Sequence, residues 1–177
     1  LRKIDPRLNT SVIDSDAPPQ APAFDRNKTP SPDGKRFLER RDYNLFLGAT
    51  GGDAPEALTN DGTPDRFWAA APPAWSPDGS RIILRCFDSR NVPRMPLVDF
   101  TKALETVEWF RYPKAGEARR SLEFHVYDVA AKVRTKLDLG GQDHYLFGLS
   151  WLPDGTDYLS LSVSRDAKVM ELRAYRP

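Results

Sequence analysis

The residues that could carry out acyl transfer are present in this chain but lack the required arrangement. Nucleophilic catalysis needs a serine, a base that activates it and a third group that orients the base. Many serine hydrolases hold the nucleophile in a G-x-S-x-G turn, and the nearest string, GLSWL at 148–152, lacks the second glycine. His125 lies in an alternating apolar strand and His144 in a polar connection. We therefore predict that this chain contains no catalytic residue.

Metal and cofactor ligands are equally sparse. The chain has one cysteine and two histidines, without the clustered spacing of a zinc site. The acidic string DSDAP at 14–18 does not continue as a calcium-binding loop, and no glycine-rich phosphate loop is present. We predict no bound metal and no cofactor. Cys86, in the apolar string RIILRCF, is predicted to be an unreactive thiol in the core.

Charge and hydropathy exclude two classes of partner. The 26 basic and 25 acidic residues leave a net charge of +1, and no basic stripe suggests binding to nucleic acid. No apolar run approaches the roughly 18 residues of a transmembrane helix. We expect no nucleic-acid partner and no membrane span, and the 177 residues are enough for one domain with a sizeable core.

One short string recurs three times and predicts the fold class. It reads PSPDG at 30–34, WSPDG at 75–79 and WLPDG at 151–155. Proline presets φ, aspartate bonds its own backbone and glycine accepts a positive φ, so each copy predicts a tight turn. Short segments rich in β-formers follow each copy, bounded by Asp, Gly, Pro or Asn. An all-β chain is therefore expected, with Trp75 and Trp151 packed in its core.

The spacing of the three copies predicts an incomplete β-propeller. Ser31 and Ser76 are about 45 residues apart, close to the length of one four-stranded blade. The next interval is about 30 residues longer, which indicates an insertion between the second and third strands of one blade. We predict about three blades: the end of a preceding blade at 1–22, a blade at 23–60, a blade at 61–140 with the insertion at 88–120, and a truncated blade at 141–177. Open blade edges predict that this chain either self-associates or exists only as part of a longer chain.

Within the insertion, FTKALETVEWF at 100–110 fits either a short helical turn or an outer strand. The surrounding strings are more specific: the turn at 75–79 followed by a strand, VP at 92–93, PLVD at 96–99, YPKAG at 112–116 and DHY at 143–145. In this combination the chain resembles the N-terminal β-propeller of the dipeptidyl peptidase IV group of prolyl-oligopeptidase-type serine peptidases. The resemblance covers about residues 29–177.

The resemblance implies a partner domain and a peptide substrate. In this group a propeller caps an α/β-hydrolase domain and admits short peptides, which are cleaved two residues from the N-terminus, often after proline. A glutamate pair holds the substrate ammonium, and the matching positions here carry Pro64 and Asp65. Asp65 supplies one carboxylate, which the adjacent Arg66 is expected to neutralise. Phe67 and Trp68 either line the central cavity or pack against other side chains. The candidate substrate-binding residues are therefore Asp65, Arg66, Phe67 and Trp68.

Two other hypotheses remain open at this point. The chain could be a stand-alone TolB-like propeller that acts as a protein-interaction module, or part of a peptidase relative that has lost activity. Bacterial members of the group imply a periplasmic or secreted protein, although nothing in these residues indicates export. A downstream G-x-S-x-G segment followed by Asp and His would favour the peptidase.

Overall fold

The computed structural model describes residues 27–101, 103–138 and 144–176, with the side chains of 147–149 excepted. The predicted end of a preceding blade at 1–22 and the string at 14–18 lie outside these residues, as does Asp143. The described part contains thirteen strands and no helix: β1 Lys28–Pro30, β2 Arg36–Arg41, β3 Asn44–Ala49, β4 Glu56–Ala57, β5 Arg66–Trp75, β6 Arg81–Asp88, β7 Arg94–Asp99, β8 Thr106–Arg111, β9 Ser121–Asp128, β10 Val133–Lys136, β11 His144–Trp151, β12 Tyr158–Ser164 and β13 Met170–Tyr175.

The strands form four antiparallel sheets. Their orders are β1-β2-β3-β4, β5-β6-β9-β10, β11-β12-β13 and the two-stranded β7-β8. Strands that are consecutive in sequence are hydrogen-bonded neighbours throughout these sheets, with one exception. Strand β6 pairs with β9, and the β7-β8 hairpin lies between them in sequence. The all-β prediction is confirmed, whereas the number of blades and their boundaries stay predictions.

The three repeated strings form the turns that their residues predict. Gly34, Gly79 and Gly155 have φ values of +68°, +71° and +71°, a region that favours glycine. Each glycine N–H donates 2.9 Å to the carbonyl oxygen three residues earlier. In the first two copies the serine hydroxyl also donates 2.6 Å to the aspartate carboxylate, as Ser76 does to Asp78. These bonds join consecutive strands in each of the three main sheets.

Two tryptophans join the second main sheet to the first and the third main sheet to the second in the same way. The indole Nε1 of Trp75 donates to the carbonyl oxygen of Thr29 at 3.1 Å, and that of Trp151 donates to Ala74 at 3.4 Å. Thr29 and Ala74 lie at the same place relative to their own turns, two residues before the serine. Both tryptophans are 6% exposed, so the prediction that they belong to the core is confirmed.

The β5-β6-β9-β10 sheet has an apolar core on each face. On one face, Ile82, Leu84 and Cys86 of β6 pack with Leu38, Leu45, Trp68 and Trp75. On the other face, Ile83 packs with Ala71, Phe124, Val126, Trp151 and Tyr158. Alternate residues of a strand point to opposite faces of a sheet, which is why neighbouring residues of β6 enter different cores. Cys86 is fully buried, and burial raises its thiol pKa to about 11.

The region predicted as an insertion forms the β7-β8 hairpin. The sequence allowed either a short helical turn or an outer strand at 100–110. The structure has a strand at Thr106–Arg111. The hairpin buries little apolar surface: seven of its large hydrophobic side chains are exposed, namely Leu97, Phe100, Leu104, Val107, Trp109, Phe110 and Tyr112. At its base, the buried side chain of Val92 and polar contacts that involve Asp65 join the hairpin to the rest of the chain.

Candidate functional site

Asp65 lies at the tip of a tight turn that leads into β5. The backbone N–H of Thr63 donates to the carbonyl oxygen of Arg66 at 2.6 Å, and the N–H of Arg66 donates back at 3.1 Å. Pro64 and Asp65 are the two residues between them, and the fixed φ of proline suits such a turn. The carbonyl oxygen of Asp65 accepts a hydrogen bond from the N–H of Ser89 at 2.7 Å. The turn is thus tied to the end of β6.

The carboxylate of Asp65 binds two arginines of the hairpin. Arg111 contacts it through Nε, 3.1 Å from Oδ1, and through Nη2, 2.6 Å from Oδ2. Arg94 donates to Oδ2 at 3.2 Å. The Nη1 of Arg111 also donates to the carbonyl oxygens of Arg90 and Val92, at 3.0 and 2.7 Å. Planar two-point contacts of this kind are among the stronger and more directional charged hydrogen bonds.

These contacts set the charge of Asp65 and limit what else it can bind. Hydrogen bonds from Arg111, with a weaker contribution from Arg94, lower the pKa of Asp65 to about 2, although burial opposes this shift. The group is therefore ionised at neutral pH. A carboxylate has about four acceptor positions, and three are filled by arginine N–H groups. A substrate ammonium would meet a carboxylate that already has two cationic partners.

Arg66 pairs with carboxylates other than that of Asp65, so the expectation that it neutralises Asp65 is wrong. Its guanidinium forms a short ion pair with Asp61, and its Nε lies 3.9 Å from Asp88. Asp65 belongs to the turn and is bound by Arg94 and Arg111, whereas Arg66 is the first residue of β5 and pairs with Asp61. The Arg66 guanidinium also lies 5.4 Å from the ring centroid of Trp68.

Trp68 packs in the core and does not border an open cavity. It is 1% exposed, in the cluster that contains Leu38 and Leu45. Its Nε1 donates to Asp61 at 2.7 Å, so the buried indole has a hydrogen-bond partner. Of the two roles left open for Trp68 by the sequence, the structure favours packing.

Phe67 lies on the opposite sheet face, where it stacks with Phe87 at a centroid distance of 5.0 Å. Two guanidiniums border this pair. That of Arg120 lies 5.7 Å from the Phe67 ring and 5.6 Å from the Phe87 ring, and that of Arg85 lies 5.0 Å from Phe87. The Nε of Arg120 also donates to the hydroxyl of Ser89 at 2.8 Å. The candidate residues thus divide between two sheet faces.

No hydrolytic or metal-binding arrangement accompanies this site in the described part of the chain. His125 contacts Glu123 at 3.5 Å, and burial lowers its pKa. No group of three His, Cys, Asp or Glu side chains in the described ranges could hold a metal ion. Within those ranges, no helix has the length and hydropathy to cross a membrane.

Sequence reasoning missed the arginines that complete the site. Arg94 directly follows Val92-Pro93, and Arg111 directly precedes Tyr112 of the YPKAG string. Both arginines lie beside strings that carry the family resemblance. The positive charge beside each string was the only sign in the sequence that these residues could bind a carboxylate. Their shared contact with Asp65 spans 29 and 46 positions of sequence, a separation that local patterns do not predict.

Comparison with known proteins agrees with this architecture. The family model for the dipeptidyl peptidase IV (DPP IV) N-terminal region matches residues 8–177. Porphyromonas gingivalis dipeptidyl peptidase 4 matches 85% of the chain with a TM-score of 0.74 and 22% identity, which shows the fold. A Bacteroides ovatus protein assigned as a dipeptidyl aminopeptidase IV also matches 85% of the chain, with a TM-score of 0.68 and 25% identity.

Two curated relatives carry the name inactive dipeptidyl peptidase 10. The rat and mouse proteins are each 31% identical over 85 residues, which is 44% of this chain. The chain spans 11% and 10% of these two proteins, and 22% and 24% of the Bacteroides and Porphyromonas structures. Since the family model matches nearly the whole chain, the chain belongs to the dipeptidyl peptidase IV N-terminal region family.

Proposed function

We propose that this chain is a non-catalytic β-propeller region of a dipeptidyl peptidase IV-like serine peptidase. In this role it gates and positions peptide substrates for a separate α/β-hydrolase domain. The observation that carries the proposal is the family match over residues 8–177. The antiparallel architecture and the two DPP IV structural neighbours support it.

In this proposal the main sheets are propeller blades. The described strands of 23–60 form one blade, those of 61–140 form a second, and those of 141–177 belong to a third. The hairpin within 88–120 is the insertion. The similar placement of Trp75 and Trp151, each bonded to the sheet before it, supports a repeated blade.

The end of the second blade that carries Asp65 is proposed to face the substrate. Asp65 and Phe67 are the candidates for contact with a peptide, whereas Arg66 and Trp68 are proposed to hold the local backbone through Asp61. Asp65 already binds Arg94 and Arg111. We therefore propose that it contributes to peptide binding mainly by fixing the hairpin beside the site.

The first test is hydrolysis of an Xaa-Pro chromogenic substrate by this chain and by the full-length protein. The proposal expects no turnover by residues 1–177 and turnover by the full-length protein that a serine-directed inhibitor blocks. Inhibitor-sensitive turnover by the chain alone would contradict the non-catalytic role. A reading frame without a G-x-S-x-G segment would contradict the peptidase.

A second test addresses gating directly. In the full-length protein, hydrolysis of a short chromogenic substrate is compared with release of an N-terminal dipeptide from peptides of increasing length. Gating predicts that the rate falls with peptide length, and that shortening the β7-β8 hairpin alters this dependence more than it alters hydrolysis of the short substrate. An unchanged length dependence would leave the family assignment intact and remove the gating role.

A relative without activity is the second candidate, because both curated relatives are named inactive. The engagement of Asp65 by two arginines also favours it, since this carboxylate is not free for a substrate ammonium. The candidate expects no hydrolysis by the full-length protein at any substrate length. Inhibitor-sensitive hydrolysis would exclude it.

A further inference from the structure

The aromatic pair Phe67–Phe87 is bordered by two arginines whose charges are not neutralised within the described residues. Other arginines at this end of the sheet bind carboxylates: Arg66 binds Asp61, Arg90 binds Asp88, and Arg111 binds Asp65. The contacts of Arg85 and Arg120 are of another kind, with the Phe67 and Phe87 rings and with a serine hydroxyl.

The groups that surround Arg85 are neutral. A negatively charged group at this position would stabilise the guanidinium, and none of the described residues provides one. Its Nε is buried and has no hydrogen-bond partner in the described structure. The nearby hydroxyl of Tyr158 is likewise buried without a partner. Strand alternation places the buried residues Ser160 and Ser162 on the same face of β12 as Tyr158. Arg85 is half-buried, and a buried N–H without a hydrogen-bond partner costs free energy.

The two guanidiniums also share one ring, at 5.0 and 5.6 Å from the centroid of Phe87. Contact with an aromatic face stabilises a cation modestly, but it supplies no negative charge to pair with either guanidinium. A bound carboxylate would supply that negative charge and could pair with both guanidiniums. The adjacent stacked rings of Phe67 and Phe87 would contact the apolar part of the same ligand.

We propose that Arg85 and Arg120, beside the Phe67–Phe87 pair, bind a carboxylate of the peptide substrate. This inference rests on the proposed function, because it assigns a substrate preference to the same end of the sheet. The carboxylate comes either from an acidic side chain or from the C-terminus of a short peptide. Both sources present the same planar anion, which matches the fork of a guanidinium.

The test is isothermal titration calorimetry of the full-length protein with peptides that carry a non-hydrolysable second linkage. One pair has Glu or Gln at the third position and a C-terminal amide. A second pair has Gln there and either a free C-terminus or an amide. The inference expects one anionic peptide to bind about ten- to a hundredfold more tightly than its neutral partner, the range for a lost hydrogen bond to a charged group. The pair that shows the difference identifies the source.

Arg85→Met and Arg120→Met are expected to remove this preference while the neutral peptides bind as they do to the wild type. Arg134→Met is the matched control, because the Arg134 guanidinium also lies over a ring, 4.8 Å from the centroid of Trp68, on the opposite sheet face. It should retain the preference. Since Arg120 is exposed, its variant tests the inference even if Arg85→Met unfolds.

Each remaining outcome overturns the inference. Equal binding of anionic and neutral peptides would reject the carboxylate site and leave the proposed function in place. A preference that survives both arginine variants would place the anion site elsewhere in the protein. Failure of every peptide to bind would reject the proposed function together with this inference.

Discussion

The carboxylate of Asp65 and the guanidinium of Arg111 meet in a two-point contact, 3.1 Å between Oδ1 and Nε and 2.6 Å between Oδ2 and Nη2. The contact joins the turn before β5 to the end of β8. The family resemblance associates the position of Asp65 with substrate binding. The contact places Asp65 at the base of the β7-β8 hairpin, which buries little apolar surface. Asp65 therefore has a structural consequence that can be measured separately from peptide binding.

Replacing Asp65 with Asn is expected to loosen the hairpin base. The amide keeps the shape of the side chain but loses the charge that binds Arg94 and Arg111. Hydrogen exchange should become faster at Tyr112, whose N–H donates to the carbonyl of Pro93, and remain unchanged in β6. Asp53→Asn, at an exposed site, is the control. Unchanged exchange at Tyr112 in the Asp65 variant would show that the ion pairs do not hold the hairpin.

The same contact predicts a pH dependence. The pKa of Asp65 is lowered to about 2 in the folded chain, chiefly by hydrogen bonds from Arg111, whereas an unperturbed aspartate has a pKa of about 3.9. The stabilisation is therefore fully present above about pH 4 and is lost as the pH falls through about 2. Protection at Tyr112 should decrease over this window in the wild type. The Asp65→Asn variant should lack this component, and an identical pH profile in both proteins would refute the assignment.

Trp68 offers a test of core packing against substrate contact. Replacement by alanine removes a side chain that is 1% exposed and should lower the free energy of unfolding by about 3–5 kcal/mol. Trp109→Ala, on the hairpin at 62% exposure, should change it by no more than about 0.5 kcal/mol. Urea unfolding of both variants measures the difference. Similar small effects at the two positions would mean that Trp68 is not a core residue.

Self-association remains a prediction, and β13 is the strand that tests it. It is the outer strand of its sheet, and its Met170 and Leu172 side chains are 70% and 67% exposed. Light scattering should give a mass above the 20.0 kDa of one chain. Leu172→Lys should shift the protein toward the monomer, because charge on an outer strand opposes pairing. Phe100→Lys, 74% exposed at the hairpin end, is the control, and a wild-type monomer at all concentrations would contradict the prediction.

The sequence predicted those features that depend on local chemistry. The turns at 30–34, 75–79 and 151–155 follow from Pro, Asp and Gly at fixed positions, and Trp75 and Trp151 were expected in the core. The conformation of Thr106–Arg111 was not predictable, because a two-stranded hairpin with exposed hydrophobic side chains lacks a clear buried face. The partners of Asp65 also escaped prediction, since a contact between distant positions depends on how the sheets assemble.

The position of strand β6 between two apolar cores affects how cooperatively this structure unfolds. Ile82 and Leu84 belong to one apolar core, and Ile83 between them belongs to the other. A single strand cannot leave one core without withdrawing its alternate side chains from the other. The two cores should therefore melt in one cooperative transition, and a cavity introduced on either face of β6 should lower the melting temperature of both neighbouring sheets.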